Sequence, residues 1–354
     1  MLLIERFDPH AATPDAWAAY HAFRRLRAAE DDPGDPILSD AEIEHTLCEH
    51  MPLWRNERHF ALDGATILGV AGIGLRREGT PDFADFANFA DFAPYMAVWG
   101  GVLQGRHRAG IASALLCPVL AFMRQHGKTT ASITTHLPKG HTFLQAIGAM
   151  QKQRQVENHM HFAGLDWAEL ARWEGAAPPG LRWEVHAGRV PMDRLAGLMP
   201  DFTALVQDVP RGEMDGPANR LTMEGYANWY KDADRHGGEH LLVLLLDGEA
   251  VAGMCECDWD RRFPSRIYQT LTAVARPWRG RGVAKAVKAR MLRLVRDHQP
   301  SVTLMTTNNA TSNAPMLSIN TRLGFERHQE RGTYQVGPDA LEAFLLTRTP
   351  PPGA

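Results

Sequence analysis

The sequence predicts a mixed α/β protein that contains two tandem copies of one fold. An Asp-Gly pair separates two apolar runs once in each half, at 63–64 and 247–248, and this pattern indicates a β-hairpin. A glycine turn that opens into an amphipathic helix follows each hairpin, at 107–112 and 279–284. The copies are about 175 residues apart, and a chain of 354 residues is long enough for two domains.

The two copies have the same predicted order of elements. The apolar start of the chain indicates a strand, and the two hairpins extend over 59–75 and 241–257. A second helix, at 313–325, is predicted after the second glycine turn, and residues 144–149 stand where 320–325 stand in that copy. The Pro- and Gly-rich stretch 176–180 is the predicted linker. We therefore expect domains at 1–175 and 181–348, with a disordered tail at 349–354.

A segment of low complexity interrupts the first copy. Phenylalanine recurs every three residues over 81–92, a spacing that fits neither a helix nor a strand. Two interpretations stay open for it: an irregular insertion with buried rings, or a lid over an acceptor.

Composition narrows the functional class. A net charge of -3 gives no electrostatic basis for binding nucleic acid or an anionic membrane. No apolar run approaches the roughly 20 residues of a membrane span, and no basic segment precedes an apolar one at the start, so we expect a cytoplasmic protein. Four cysteines do not form a disulfide framework, and none of the 16 histidines forms a helical metal-binding pair, so we expect no metal.

The second glycine turn has the features of a phosphate cradle. A strand rich in β-branched residues leads into it, and glycines allow the backbone to approach an anion at the positive end of the helix dipole. The turn lacks the Lys-Ser/Thr pair of a P-loop, and its glycines do not fit the dinucleotide fingerprint. The candidate binding residues are Thr272, Ala273, Val274, Arg279, Gly280, Arg281, Gly282, Val283 and Ala284.

The pattern Arg279-x-x-Gly282-x-Ala284 resembles the pyrophosphate-binding signature of the GNAT (GCN5-related N-acetyltransferase) superfamily. The stretch from Asn313 to Phe325 resembles the next motif of that family, an Asn-capped helix closed by Leu-Gly-Phe. Asn313 is therefore a candidate both for the helix cap and for contact with the cofactor. The repeated layout is similar to that of tandem members such as mycothiol synthase. The resemblance implies two tandem GNAT acyl-CoA N-acyltransferase domains, with acetyl-CoA as cosubstrate and with backbone amides near 272–274 pairing with its pantetheine arm.

The first copy departs from this signature. His107 replaces the leading arginine, Pro118 falls within the helix after the cradle, and no asparagine corresponds to Asn313 or Asn320. We therefore expect residues 1–175 to be a degenerate, chiefly structural GNAT domain, and whether it binds acyl-CoA stays open. The chemistry is expected in the second copy.

The resemblance places the usual general base of the family at Tyr268, which is a poor base at neutral pH. If 251–259 pairs antiparallel with 267–274, Asp258 lies opposite Tyr268 and Glu256 lies opposite Thr270, all on one face. Glu256 is then the first candidate for the base and Asp258 the second. A solvated or ion-paired strand face is the alternative for both carboxylates.

The resemblance places the usual general acid of the family at Asn320, whose amide cannot donate a proton outright. Tyr334 and Tyr268 are the alternative acids.

The acceptor is predicted from one loop. The segment 208–215 contains Asp208, Glu213 and Asp215, which either attract a cationic amine or are simply solvated. We expect acetyl transfer to a primary amine of a small molecule by direct attack, in a monomer or homodimer. A non-catalytic acyl-CoA-binding sensor or scaffold is the alternative.

Overall fold

The computed structural model describes residues 2–49, 54–76, 93–216 and 221–348, and they form a mixed α/β fold. The predicted Phe-rich insertion and the predicted tail lie outside the described residues. The described strands are β1 (Leu3–Phe7), β2 (Trp54–Asp63), β3 (Thr66–Arg76), β4 (Tyr95–Val102), β5 (Thr130–Thr135), β6 (Met150–His161), β7 (Arg182–Ala187), β8 (Glu239–Asp247), β9 (Ala250–Trp259), β10 (Arg266–Val274), β11 (Leu304–Ala310) and β12 (Glu326–Val336).

The described helices include those predicted after the two glycine turns. They are α1 (Pro14–Asp31), α2 (Asp40–Cys48), α3 (Ile111–Gln125), α4 (Pro138–Ala146), α5 (Trp167–Gly175), α6 (Met192–Gln207), α7 (Met223–His236), α8 (Val283–His298), α9 (Ala314–Arg322) and α10 (Pro338–Leu346). Pro118 does not end α3, which continues through it. Among the described residues, no helix is both long and apolar enough to cross a bilayer.

The contacts divide the chain into two compact units. Unit 1 contains residues 1–153, 213–217 and 332–354, and unit 2 contains 154–212 and 218–331. These units differ from the expected boundaries because part of the last strand of each half belongs to the other unit: 154–161 of β6 lie in unit 2, and 332–336 of β12 lie in unit 1. In unit 1, β12 pairs antiparallel with β5 over 332–336. In unit 2, β6 pairs antiparallel with β11 over 155–161.

Each unit has a mixed sheet. The strand order is β1-β2-β3-β4-β5-β12 in unit 1 and β6-β11-β10-β9-β8-β7 in unit 2. The pairing is antiparallel except for the parallel pairs β4–β5 and β10–β11. Both predicted hairpins are confirmed, and their turn glycines Gly64 and Gly248 have φ values of 60° and 63°, which favour glycine.

The helix–glycine turns after the cradles also correspond. Gly148 and Gly324 both have a φ of 77°. The backbone N–H of Ala149 donates to Leu144 O at 3.0 Å, and that of Phe325 donates to Asn320 O at 3.0 Å. The same hydrogen bond in both halves supports the internal repeat that the sequence predicts.

The sheet of unit 2 is covered on both faces. On one face, α8 packs its apolar side on strand residues that include Val243, Cys255 and Ile267. On the other face, α6 and α7 pack against strand residues that include Leu244 and Met254. Because each face of a strand takes alternate residues, Glu256 and Asp258 lie on the α6/α7 face.

Candidate active site

A gap opens between β10 and β11 in unit 2. The two strands pair in parallel only from Arg266–Leu304 to Gln269–Thr307, although β10 continues to Val274 and β11 continues to Ala310. Beyond Gln269, β10 remains paired with β9 alone, so alternate backbone groups over 271–274 face the gap instead of a neighbouring strand. Such groups can bind an extended, amide-containing ligand in the manner of an added strand.

The turn beyond this gap presents a helix N-terminus. Gly280 and Gly282 have φ values of 73° and 84°, and Gly282 directly precedes α8. Among the residues that the structure describes, no side chain caps this end of α8, so the first-turn amides are available to a ligand. A Cβ at Gly280 would meet no atom within 4 Å, so the turn is open to the outside there. This geometry fits an anion such as a pyrophosphate.

The arginines of this turn have protein partners. Arg279 donates through Nε to Val274 O at 3.0 Å and through its terminal nitrogen to Asp208 at 2.7 Å. Arg276 also donates to Asp208, and this bond holds the pKa of that carboxyl below its ordinary value. Arg281 lies over the Trp278 ring at 5.1 Å. Arg279 therefore ties the turn to the end of β10.

The acidic loop is not one acidic surface. Asp208 belongs to unit 2 and is neutralised by two arginines, whereas Glu213 and Asp215 belong to unit 1. Asp215 forms an ion pair with Lys152 at 3.0 Å. The interpretation of this loop as an attractant for a cationic amine is therefore not supported by its carboxylates Asp208 and Asp215.

The Asn residues of α9 have structural partners. The Asn313 side chain caps the helix and accepts from Met316 N at 3.4 Å. The buried Asn320 side chain donates to Asn309 Oδ1 on β11 at 2.7 Å. Asn320 thus fastens α9 to the strand that forms one side of the gap.

The register between β9 and β10, which positions Glu256 and Asp258 on the α6/α7 face, is partly as predicted. Asp258 lies opposite Tyr268, but a β-bulge after Gln269 places Glu256 opposite Leu271 instead of Thr270. The prediction for Glu256 is thus wrong by one residue. Even so, the Thr270 hydroxyl donates to Glu256 Oε2 at 3.2 Å.

Glu256 lies at the centre of a buried network that the sequence did not reveal. The Tyr226 hydroxyl donates to Glu256 Oε1 at 3.0 Å, and His240 Nε2 lies 2.9 Å from the same oxygen. On the other side of its ring, His240 Nδ1 is 2.9 Å from the Tyr230 hydroxyl. The same hydroxyl accepts from Val190 N at 3.0 Å, so the network extends from Glu256 through His240 to Tyr230.

The two carboxylates differ in proton affinity. Burial raises the pKa of Glu256, but the His240 contact and the two hydroxyl donors lower it more, so its pKa lies below the ordinary value. Burial, and then the charge of Glu256, raise the pKa of Asp258 to about 8. Of the two carboxyl groups, Asp258 therefore binds a proton more tightly. Which of the two acts as the base stays a prediction.

The two candidate tyrosines are in different places. Tyr268 is 38% exposed, and its hydroxyl accepts from Asn308 Nδ2 at 3.2 Å. Tyr334 is buried in unit 1, where its hydroxyl is 2.9 Å from His141 Nδ1. Tyr334 therefore belongs to a different unit from Asp258 and Tyr268, because the end of β12 is part of unit 1.

Thr272 connects the gap to a buried cation. Its hydroxyl accepts from Gln269 Nε2 at 2.7 Å, and Lys288 Nζ of α8 donates to Gln269 Oε1 at 2.5 Å. Burial lowers the pKa of Lys288 to about 8. Cys255, which is buried and reduced, lies 3.4 Å from the Thr272 hydroxyl. This chain of side chains fixes the Thr272 rotamer beside the gap.

Unit 1 has the same strand arrangement, but the Arg27 side chain occupies space beside its β4 strand. Its parallel strands β4 and β5 also pair only over 95–98 and 130–133, and His107 Nε2 lies 3.0 Å from Val102 O, as Arg279 Nε does from Val274 O. Arg27 of α1 fills the space over Gly101, because a Cβ there would lie 2.2 Å from its guanidinium. Arg27 also donates to Val102 O at 2.9 Å.

Comparison with known proteins agrees with this geometry. Residues 205–325 match the model of the acetyltransferase (GNAT) family. A tandem GNAT protein from the clavulanic acid biosynthesis pathway is similar over 96% of this chain and 99% of its own, with a TM-score of 0.73 and 20% identity.

Two further solved structures share the fold. A GCN5-related N-acetyltransferase from Sphaerobacter thermophilus covers 95% of this chain and 96% of its own, with a TM-score of 0.60 and 16% identity. A glucosamine N-acetyltransferase region of a fungal multidomain GH3 β-N-acetylglucosaminidase covers 94% of this chain and 38% of its own, with a TM-score of 0.60 and 11% identity. No curated protein sequence matches the chain. The fold is thus that of tandem GNAT proteins.

Proposed function

We propose that this GNAT protein transfers an acetyl group from acetyl-CoA to a primary amine of a small molecule, and that the reaction takes place in unit 2. One observation carries the proposal. The parallel strands β10 and β11 separate after Gln269, and the gap leads to the uncapped N-terminus of α8 at Gly282. A ligand with an amide-containing arm and a pyrophosphate fits both features.

The residues present fit acetyl-CoA, which supplies an activated thioester carbonyl when it is bound. The amides of Val283 and Ala284, with the turn at Gly280 and Gly282, bind phosphate oxygens at the positive end of α8. Backbone groups at 271–274 hold the arm, and their N–H groups polarise the carbonyl. These interactions use backbone groups, so they orient the ligand without a change in the protonation of any side chain.

Asp258 is proposed to accept the proton of the attacking amine, directly or through one water. The new C–N bond forms as the C–S bond breaks, the amine proton passes to Asp258, and the sulfur leaves as the thiolate. The pKa of about 8 suits this role, because the carboxylate is ionised in part near neutral pH and holds the proton well once it is transferred. Glu256 stays ionised and keeps that pKa high. The exposed Tyr268 hydroxyl is the candidate proton donor for the departing thiolate.

Unit 1 is proposed to be structural. Arg27 occupies the space over Gly101 on β4, the strand that corresponds to β10. Ala273 has the equivalent position in unit 2 and lies on the α6 face. A guanidinium at that position obstructs the side from which an acceptor would reach the gap.

The acceptor class is supported by the fold and by one neighbour. The fungal region is described as a glucosamine N-acetyltransferase, so amino sugars belong in any panel of amines tested on this chain. The alternative function is an acyl-CoA-binding sensor. That alternative is favoured by Tyr268 and Asn320, which stand where the resemblance places a general base and a general acid.

The test is turnover. Acetyl-CoA consumption is measured with a panel of amino sugars, polyamines, amino acids and amino-thiols, for the wild type and for Gly282→Asp. The proposal expects acceptor-dependent release of CoA that Gly282→Asp abolishes. Tight binding of acetyl-CoA without turnover on any amine would instead support the sensor.

A further inference from the structure

A cluster of ligating side chains lies in unit 2 outside the carboxylate network. Glu157 and His159 alternate on β6, and His328 lies on β12. One ligand atom of each, a carboxylate oxygen or a ring nitrogen, lies within 4.8 Å of the other two. The three residues come from two segments about 170 residues apart in the sequence, so no local motif marks them.

The carboxylate of Glu157 is held in a fixed orientation. Its Oε2 accepts hydrogen bonds from Gln329 and Arg331. Its Oε1 is 3.0 Å from His159 Nε2. The donors hold Oε2, so Oε1 remains directed toward the imidazole rings. Hydrogen bonds of this kind orient the carboxylate ligands of metal sites.

The two imidazoles lie face to face. The rings of His159 and His328 are 3.9 Å apart with an interplanar angle of 12°. His328 is exposed, and rotation of its side chain can turn its ligand nitrogen toward those of the other two residues.

The donor set selects a class of ion. Two imidazole nitrogens and one carboxylate oxygen suit Zn²⁺, Co²⁺, Ni²⁺ or Cu²⁺ better than Mg²⁺ or Ca²⁺, which prefer all-oxygen sites. Bonds of about 2.0–2.2 Å from one ion place tetrahedral ligand atoms roughly 3.4 Å apart. The Glu157–His159 pair, at 3.0 Å, is therefore already close enough, and rotation of His328 completes the set.

We infer that Glu157, His159 and His328 form a binding site for one divalent transition-metal ion, with open positions for water. This inference replaces the expectation of no metal, which considered only helical spacings of histidine. It does not depend on the proposed acyl transfer.

The site lies on the face of the sheet that carries Asp258 and Tyr268. Asn308, whose side chain donates to Tyr268, pairs with Glu157 in the β6–β11 register. An ion at β6 would lie two strands from Tyr268, with β11 between them.

The experiment is a titration with Co²⁺ and Zn²⁺ in protein that has no polyhistidine tag and carries Cys117→Ser, because Cys117 is an exposed thiol. Calorimetry should give one site per chain, and Co²⁺ should produce a visible d–d absorption band. His159→Gln and His328→Gln should each weaken binding by about tenfold or more, and the double variant should lose the absorption band.

His161→Gln is the matched control, because His161 is the next residue on the same face of β6 and is not part of the cluster. It should bind as the parent protein does. Binding that survives in the double variant, or no Co²⁺ band in the parent protein, would overturn the inference. Circular dichroism of each variant confirms that it is folded.

Discussion

Asp258→Asn should remove the proton acceptor and leave the site otherwise intact. The pKa of about 8 means that roughly a tenth of Asp258 is ionised at pH 7 and about nine-tenths at pH 9. Wild-type kcat/KM should therefore rise roughly tenfold between these pH values. Asp258→Asn should lower turnover about 10²-fold or more and should lose this rise.

The same change has a consequence for stability with a definite sign. The pKa of Asp258 is raised in the folded protein, so the folded state binds this proton more tightly than the unfolded chain does. The stabilisation is present at acidic pH and is lost as pH rises from about 4 toward 8. Asp258→Asn has no proton to lose, so its Tm should exceed that of the wild type at pH 9 and not at pH 4.

Steady-state kinetics on an acceptor found in the amine panel, together with thermal melts at both pH values, make the test. Binding of acetyl-CoA to Asp258→Asn should equal that of the wild type. If the variant keeps the wild-type rise in kcat/KM at the same midpoint, the titrating group is the acceptor amine or another residue, and the reasoning is refuted.

Two further perturbations test the surroundings. Glu256→Gln removes the charge that raises the pKa of Asp258, so the midpoint of the acidic limb in the rate profile should fall below 8, and an unchanged midpoint would show that Glu256 does not set it. Gly253→Ala places a Cβ 2.3 Å from Val283 Cγ1 at the start of α8, so stability should fall by about 1–3 kcal/mol and acetyl-CoA affinity should fall with it. Gly197→Ala is its control, since the nearest atom is 4.0 Å from the added Cβ, and equal losses in both variants would count against the cradle argument.

Much of the fold could be predicted because its signals are local. The Asp-Gly hairpins and the glycine turns at Gly110 and Gly282 depend on residues next to each other in sequence. The exchange of β6 and β12 could not be predicted. Both strands follow equivalent helix–glycine turns in the two copies. The sequence pattern does not indicate whether each of them pairs with β5 or with β11.

The site was predicted less completely for two physical reasons. The bulge near Thr270 adds one residue to β10, and alternation in the sequence cannot place such an insertion. The network around Glu256 needs Tyr226 and Tyr230 of α7, whose packing against β8 is a tertiary contact. One signal was available: His240 begins an apolar run in β8, and a buried histidine there requires polar partners.

The most direct test of the account is calorimetric titration of acetyl-CoA into the wild type, Gly282→Asp and Gly110→Asp. The two glycines are matched, because each precedes a helix with a φ of 84° or 78°. A phosphate cradle at Gly282 predicts one site per chain, a loss of more than about tenfold in affinity for Gly282→Asp through charge repulsion, and wild-type affinity for Gly110→Asp. Retained affinity in Gly282→Asp, or an equal loss in Gly110→Asp, would contradict it.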